Sequence, residues 1–248
     1  AWLAPSAPAA AASDTARSID AVVAERWHKL SKNPLVGRLY DPNAPVGERD
    51  RGTLDDLSAA VETEPEILLL GETHDNPEHH WVRSLFAKPG PPKTPWVFEQ
   101  FDSSQQPAID KELAGAKPPT LKAFETAIDW EKSGWQKYAY GPLLSAVLDA
   151  RVPIDAGNIP RKDVMKAARE GAASTEPALA ARLALDKPLG EKLNQALLAE
   201  IQEAHCNAMP KEALSGMAFA QRLRDASIAD AALKAAEKGG SAIVIDPK

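Results

Sequence analysis

The chain predicts an α/β fold: a mostly parallel sheet flanked by helices, with a helical insertion before the last strand. Three observations carry this. Short, continuously apolar runs at 67–70, 96–101, 152–161 and 241–245 have the length and composition of strands buried in a parallel sheet. Amphipathic helical patterns fill the stretches between them, the alternation expected of a sheet covered by helices. The 248 residues, 44% hydrophobic and 26% charged, suit one large α/β domain with ordinary globular usage.

In chain order, residues 1–17 form an Ala/Pro/Ser-rich tract with no charge before Asp14. Such a tract cannot bury enough to order itself and reads as a flexible tether, of the kind that follows a removed export signal. Residues 18–248 read as a single domain. Ile19, Val22, Val23, Trp27 and Leu30 share one face of a first helix. The segment 35–41 reads as a short strand or hairpin arm closed by the turn-forming DPNAP. Thr53 with Asp56 makes a capping box for a helix whose inner face is Leu54, Leu57 and Val61. The run Ile67 to Leu70, ended by Gly71, reads as a strand buried on both faces. Asn76 followed by Pro77 is an N-cap with proline at the first helical position. Further helices are expected near 104–114, 120–129, 141–150, 161–172, 176–184, 188–205 and 211–238, and the crossover near Lys88 is short. The helical stretch of about 161–238 exceeds a simple crossover and is expected to form a subdomain.

Composition removes several function classes. With 29 basic and 35 acidic residues the net charge is −6, so nucleic acid is not the expected partner. No stretch reaches the roughly 20 apolar residues of a membrane-spanning helix. A lone cysteine, Cys206, excludes an internal disulfide and a cysteine-built zinc cage. Neither a CxxCH haem attachment nor a GxSxG nucleophile elbow is present.

Sites in open parallel sheets form beyond the carboxyl ends of the strands. There the sequence places Glu72 and His74 after the first run, Glu99 and Asp102 at the second, and Asp155, Asn158 and Arg161 at the third. Glu72 and His74 alternate along extended backbone, so both side chains can face one spot as an acid/base pair or as two metal ligands. His79, in the first turn of the next helix, can approach the same spot, which makes Glu72, His74 and His79 the candidate set for a divalent metal. His80 reads as a surface or capping residue. Glu99, a carboxylate amid VFEQF, has two readings: a catalytic group, or a partner of Arg161 or of a helix N-terminus. Trp130, Trp135, Tyr138 and Tyr140 fall within eleven residues. On composition alone they pack a helix corner in the core; a platform for a flat ligand is the other use.

Taken together, LLLGETHDNPEHH at 68–80, VFEQFD at 97–102, DWEKSGWQKYAYGPLL at 129–144 and VPIDAGNIPR at 152–161 resemble the ChaN-like family of haem-binding, iron-regulated bacterial lipoproteins. That family sits in the Tiki/TraB/erythromycin-esterase superfamily. HCNAMP at 205–210 and MAFAQRLRDASIADA at 217–231 extend the likeness, which spans roughly Leu35 to Ile245. The resemblance implies an α/β fold with a helical insertion and a role in iron or haem acquisition at the bacterial envelope, periplasmic or outer-membrane associated. It also implies non-covalent haem (iron protoporphyrin IX), held through a tyrosine and stacked as a pair between two protomers, with an outer-membrane haem receptor as a further partner. Tyr140 best matches the family's tyrosine and Tyr138 is the fallback. Trp135 and Pro142 would pack on the ring and Arg161 or a lysine would meet a propionate. A phenolate suits ferric iron, although a phenol ordinarily ionises only near pH ~10. Two family features are not in the sequence: a lipid-bearing cysteine near Ala1, and a GxGH segment after the last strand. The alternative reading is a Glu/His- or metal-dependent hydrolase using Glu72, His74 and Glu99. A partner-binding scaffold with an inactive site is the third.

Overall fold

In the computed structural model, residues 18–30, 33, 35–63, 67–88, 94–239 and 242–245 are described. The tract at 1–17 lies outside them. The first helix, α1 (Ile19–Arg26), is capped by Ser18, whose hydroxyl accepts from the Ala21 N–H at 3.1 Å. Asp55 completes the cap by accepting from the Ile19 and Asp20 N–H groups at 2.7 and 3.1 Å. The segment at 35–41 is one arm of a hairpin, β1 (Arg38–Tyr40) pairing antiparallel with β2 (Asp50–Thr53). The expected capping box opens α2 (Leu54–Thr63): Thr53 Oγ1 accepts from the Asp56 N–H at 3.2 Å, and Asp56 Oδ2 from the Thr53 N–H at 2.8 Å.

The α/β core follows in order: β3 (Ile67–Leu70), α3 (Pro77–Ser84), β4 (Trp96–Asp102), α4 (Gln106–Leu113), α5 (Leu121–Ala127) and α6 (Gly141–Asp149). Then come β5 (Ile154–Asn158), α7 (Arg161–Glu170), α8 (Pro177–Arg182), α9 (Glu191–Ala204), α10 (Lys211–Gly239) and β6 (Ala242–Ile245). The sheet order is β3-β6-β4-β5, with every neighbouring pair parallel. Strand alternation divides the apolar runs between two layers. Trp96 and Phe98 of β4, with Ile243 and Ile245 of β6, pack into the large core beneath α4, α5 and α6. Val97, Ala242 and Val244 face the other way, onto Ile228, Ala232 and Ala235 of α10. Covered on both faces, β4 and β6 read in sequence as unbroken apolar runs.

The first run departs from that expectation. β3 is an edge strand, and although Leu68 and Leu70 pack on the large core, Ile67 is 38% and Leu69 62% exposed. An apolar run fixes that a segment is a strand, while its place in the sheet is set by long-range pairing.

The region at 161–238 is only in part an insertion. α7 and α8 pack against the first half of α10 around Ala167, Leu185, Ala220 and Leu223. The second half of α10 lies on the sheet and doubles as the crossover helix into β6. Two glycines permit this packing. A Cβ on Gly157 of β5 would stand 2.9 Å from Val97 Cγ1, and one on Gly216 of α10 would overlap the Ala168 carbonyl of α7.

Candidate functional site

The carboxyl edge of the sheet carries two joined features: a buried ionic cluster around Glu72 and an open pocket beside it. Gly71 ends β3, and the turn that follows is held by local bonds. Asn76 Oδ1 accepts from the Glu78 N–H at 3.0 Å, the expected N-cap, and His79 Nδ1 accepts from the Thr73 N–H at 2.9 Å. This rigid turn delivers Glu72 inward and His74 toward the pocket.

The Glu72 side chain has no exposure and is surrounded by donors. Arg83 Nη1 and the Tyr140 hydroxyl donate to it. His74 Nδ1 lies 2.7 Å from Oε1, and His80 Nδ1 lies 2.7 Å from Oε2 without hydrogen-bond alignment. Arg83 also donates to the Leu70 carbonyl, and His80 Nε2 bonds the His74 carbonyl at 2.9 Å. Burial alone would raise the Glu72 carboxyl, but contacts with His80, Tyr140 and His74 and the charge of Arg83 outweigh it and hold it at about 2. Glu72 is therefore ionised, and its Oε1 bonds both the Tyr140 hydroxyl and His74 Nδ1, which orients the His74 ring.

The same bonds decide the place of Tyr140. Its ring is buried, between His80 at 4.1 Å and Trp130 at 6.0 Å, and its hydroxyl, while donating to Glu72, accepts from Gln100 Nε2 at 3.1 Å. Burial first, and then ionised Glu72, push its phenol far above the ordinary range. Tyr140 has one proton and gives it to Glu72, so Gln100 must present its amide nitrogen there. The buried Gln100 Oε1 is left without a partner among the described residues.

Next to this cluster lies a pocket of about 800 Å³. Its size is within the ~300–1,000 Å³ typical of small-molecule sites. His74 stands on its wall with Trp135 and Tyr138, at ring separations of 4.8 and 5.5 Å. Lys137 Nζ lies 4.8 Å above the Tyr138 ring. Apolar lining comes from Ile128, Ile159 and Val164, and positive charge from Lys132, Arg161 and Arg224. These rings, apolar side chains and cations share the pocket with the carboxylates of Glu99, Asp102 and Asp129. The aromatic segment is divided: Trp130 and Tyr140 fill the core, while Trp135 and Tyr138 line the pocket. Pro142 is exposed and is not among the lining residues.

Of the residues expected at the strand ends, His74, Glu99, Asp102, Asn158 and Arg161 do meet at this pocket. Asp155 does not; it sits early in β5, 3.8 Å from Lys238. Glu99 is buried and pairs with Arg224 of α10 rather than with Arg161. Among the described residues no three His, Cys, Asp or Glu side chains converge as a metal site. The expected set does not converge: His79 Nδ1 accepts from the Thr73 N–H, and Glu72 accepts from Arg83 and Tyr140. His80, read as a surface or capping residue, is instead fully buried against Glu72. Sequence reasoning also passed over Arg83, Gln100 and Arg224. His80 and Arg83 are three apart on α3 and share its inner face, a spacing that signals their joint burial.

The fold and site define a helix-covered parallel α/β protein with a pocket at the carboxyl edge of its sheet lined by aromatic and charged side chains. A family model described as haem-binding uptake, Tiki superfamily, ChaN matches residues 59–246, and the chain belongs to this family of haem-binding proteins. It is similar in fold to a solved structure described as cofacial heme binding to ChaN of Campylobacter jejuni. That TM-score is 0.63 at 18% identity, over 81% of this chain and 77% of that one. No curated protein matches the chain. Among the described residues no helix is long and apolar enough to cross a membrane.

Proposed function

We propose that the pocket beside His74 is the haem site and that Tyr138 supplies the axial oxygen to ferric iron. The observation that carries this is the contrast between the two tyrosines. Tyr138 stands on the wall of an 800 Å³ pocket, whereas Tyr140 has its hydroxyl committed to Glu72 and Gln100 inside the core. The lining fits the group: Trp135 and Ile128 offer apolar surface to the macrocycle, and Arg161 and Arg224 offer charge to its carboxylates. Bound haem would supply a ferric centre for which a phenolate is a suitable ligand.

The test is a titration of wild type, Tyr138→Phe and Tyr140→Phe with ferric haem, followed by absorbance. The expected result is a saturable tyrosinate-type spectrum in wild type that survives Tyr140→Phe and is lost in Tyr138→Phe. No saturable change in wild type overturns the haem reading, and loss confined to Tyr140→Phe overturns the choice of tyrosine. The wider role we propose is haem or iron uptake at the bacterial envelope, supported by the family to which the chain belongs. Two copies would bring their haems face to face, so added haem is expected to move the protein from monomer to dimer in light scattering.

One contact supports a second reading. Glu72 holds His74 Nδ1 at 2.7 Å, which leaves Nε2 as the proton acceptor of a histidine on the pocket wall, the arrangement of an oriented general base. A metal-independent hydrolase would lose turnover in His74→Ala. Haem binding alone predicts no turnover in either protein.

A further inference from the structure

Helix α3 is gripped on two opposite faces, and only the inner grip belongs to the site described above. On that face His80 and Arg83, three apart, meet Glu72. On the outer face Glu78 and Trp81, also three apart, meet the end of α1. Arg26 donates through Nε and Nη2 to the two Glu78 oxygens, each at 2.8 Å, and the Trp27 indole N–H donates to Glu78 Oε2 at 2.9 Å. The Arg26 guanidinium also lies 4.2 Å from the centre of the Trp81 ring, and the Trp27 ring stands edge-on to it at 5.5 Å. A guanidinium fork on a carboxylate that also accepts an indole N–H fixes direction as well as distance. α1 is itself anchored: Val23 is fully buried, and Asp55 accepts from its first N–H groups. This helix precedes residues 59–246, the part of the chain shared with the family.

We propose that α1 is a clasp on the pocket: Arg26 and Trp27, acting through Glu78, hold the turn that presents His74. Glu78 stands in the first turn of α3, beside the residues that shape that turn. Asn76 caps the Glu78 N–H, and the neighbouring His79 ties down the Thr73 N–H, so the helix start and the His74 turn are one bonded unit. An exposed ion pair contributes little to global stability. Its effect here is local, because α3 has only eight residues and a helix that short depends on tertiary contacts to stay closed. With the clasp shut, His74 stays where Glu72 Oε1 accepts from its Nδ1, and the ring is held on the pocket wall in one tautomer. Arg26 and Trp27 are positioning residues, and the inference stands apart from what the pocket binds.

The test uses the full chain without ligand, as wild type, as the double variant Arg26→Ala/Trp27→Phe, and as Arg38→Ala. The last removes a similarly exposed ion pair, Arg38–Asp50, within the hairpin. Hydrogen–deuterium exchange is followed by mass spectrometry, and the protonated nitrogen of His74 is read from its imidazole nitrogen shifts. In the double variant, residues 71–85 are expected to exchange about tenfold faster with α10 unchanged. His74 is expected to pass from a single Nδ1-protonated form to a mixture of tautomers. Arg38→Ala is expected to match wild type in both signals. Faster exchange confined to residues 18–30, with an unaltered His74 signal, overturns the inference. Equal acceleration in α10, or the same changes in Arg38→Ala, overturns it as well. Both signals are read without haem, so failure of the haem titration and failure of this inference are separate results.

Discussion

Tyr138 and Tyr140 are two residues apart, with ring centroids 6.4 Å apart and planes at 84°, yet they belong to different environments. Tyr140 turns inward, where its hydroxyl bridges Gln100 and Glu72; Tyr138 turns out to the pocket wall. The loop between α5 and α6 makes this division. Asp129 adopts a left-handed backbone (φ 53°), the short 3₁₀ turn Trp130–Lys132 follows, and Gly134 takes φ 86° before the chain reaches Trp135. The division also separates ligand binding from stability, which can be measured independently.

Removing the Tyr140 hydroxyl is expected to cost stability and to spare the ligand. Tyr140→Phe leaves Glu72 short of a donor and the Gln100 amide short of an acceptor, both in the buried interior. A loss of roughly 1–3 kcal/mol is expected, the usual cost of an unsatisfied buried polar group. Urea unfolding measures it. A loss below a few tenths of a kcal/mol would mean that the hydroxyl is not part of the cluster in solution.

Glu72 gives the cluster a pH dependence with a definite sign. Its carboxyl ordinarily titrates at 4.5 and is held at about 2 in the folded protein. A depressed folded value contributes stability that is fully present above the unfolded value and is lost as the pH falls from about 4.5 toward 2. The shift corresponds to about 3 kcal/mol at neutral pH. Other carboxylates, including Asp41, Asp50 and Asp55, are also depressed and add to the acid sensitivity of the wild type. The informative quantity is therefore the difference between proteins. Glu72→Gln is expected to be less stable than wild type at pH 7, with the gap closing as the pH drops to 3. A gap independent of pH would show that Glu72 is not ionised in the folded state.

How much of this was legible in the sequence depended on whether the deciding interactions were local. The capping box of Thr53 and Asp56 and the Asn76 cap were readable because each is settled within three residues. The pairing of Glu72 with His74 followed from strand alternation, and the Gly71-to-Pro77 turn preserved it. The embrace of Glu72 by Tyr140, 68 residues away, and of Glu99 by Arg224, 125 residues away, had no local signature. His80 lay between these cases, since only its spacing from Arg83 marked it as inward-facing.

Ile67 and Leu69 of β3 make the same point by experiment. Both are apolar, yet they sit on the edge strand with substantial exposure, whereas Val97 of β4 is fully buried beneath α10. Leu69→Thr is expected to change stability by no more than about 0.5 kcal/mol, as for surface positions generally. Val97→Thr buries a hydroxyl and is expected to cost about 1–3 kcal/mol. Thermal or urea unfolding of the two variants decides. Equal costs would mean that another element or another chain covers the β3 face in solution.

Gly216 joins the fold to the site. Its Cα side faces the Ala168 carbonyl so closely that a methyl group overlaps that oxygen, and the obstacle is backbone rather than a movable side-chain tip. Gly216→Ala would gain helix propensity of about 1 kcal/mol in an unobstructed helix. Here the overlap must instead push α10 away from α7, and overpacking of this kind typically costs about 1–3 kcal/mol. A net loss of stability is therefore expected despite the better helix former. Because Arg224 lies two turns further along α10 and Arg161 begins α7, the same displacement widens the cationic end of the pocket. Affinity for ferric protoporphyrin IX is expected to fall in Gly216→Ala, and affinity for its dimethyl ester, which has no free carboxylates, to fall less. A variant as stable as wild type, with unchanged affinity for both porphyrins, would show that the α7–α10 contact neither limits the fold nor sets the spacing of the two arginines.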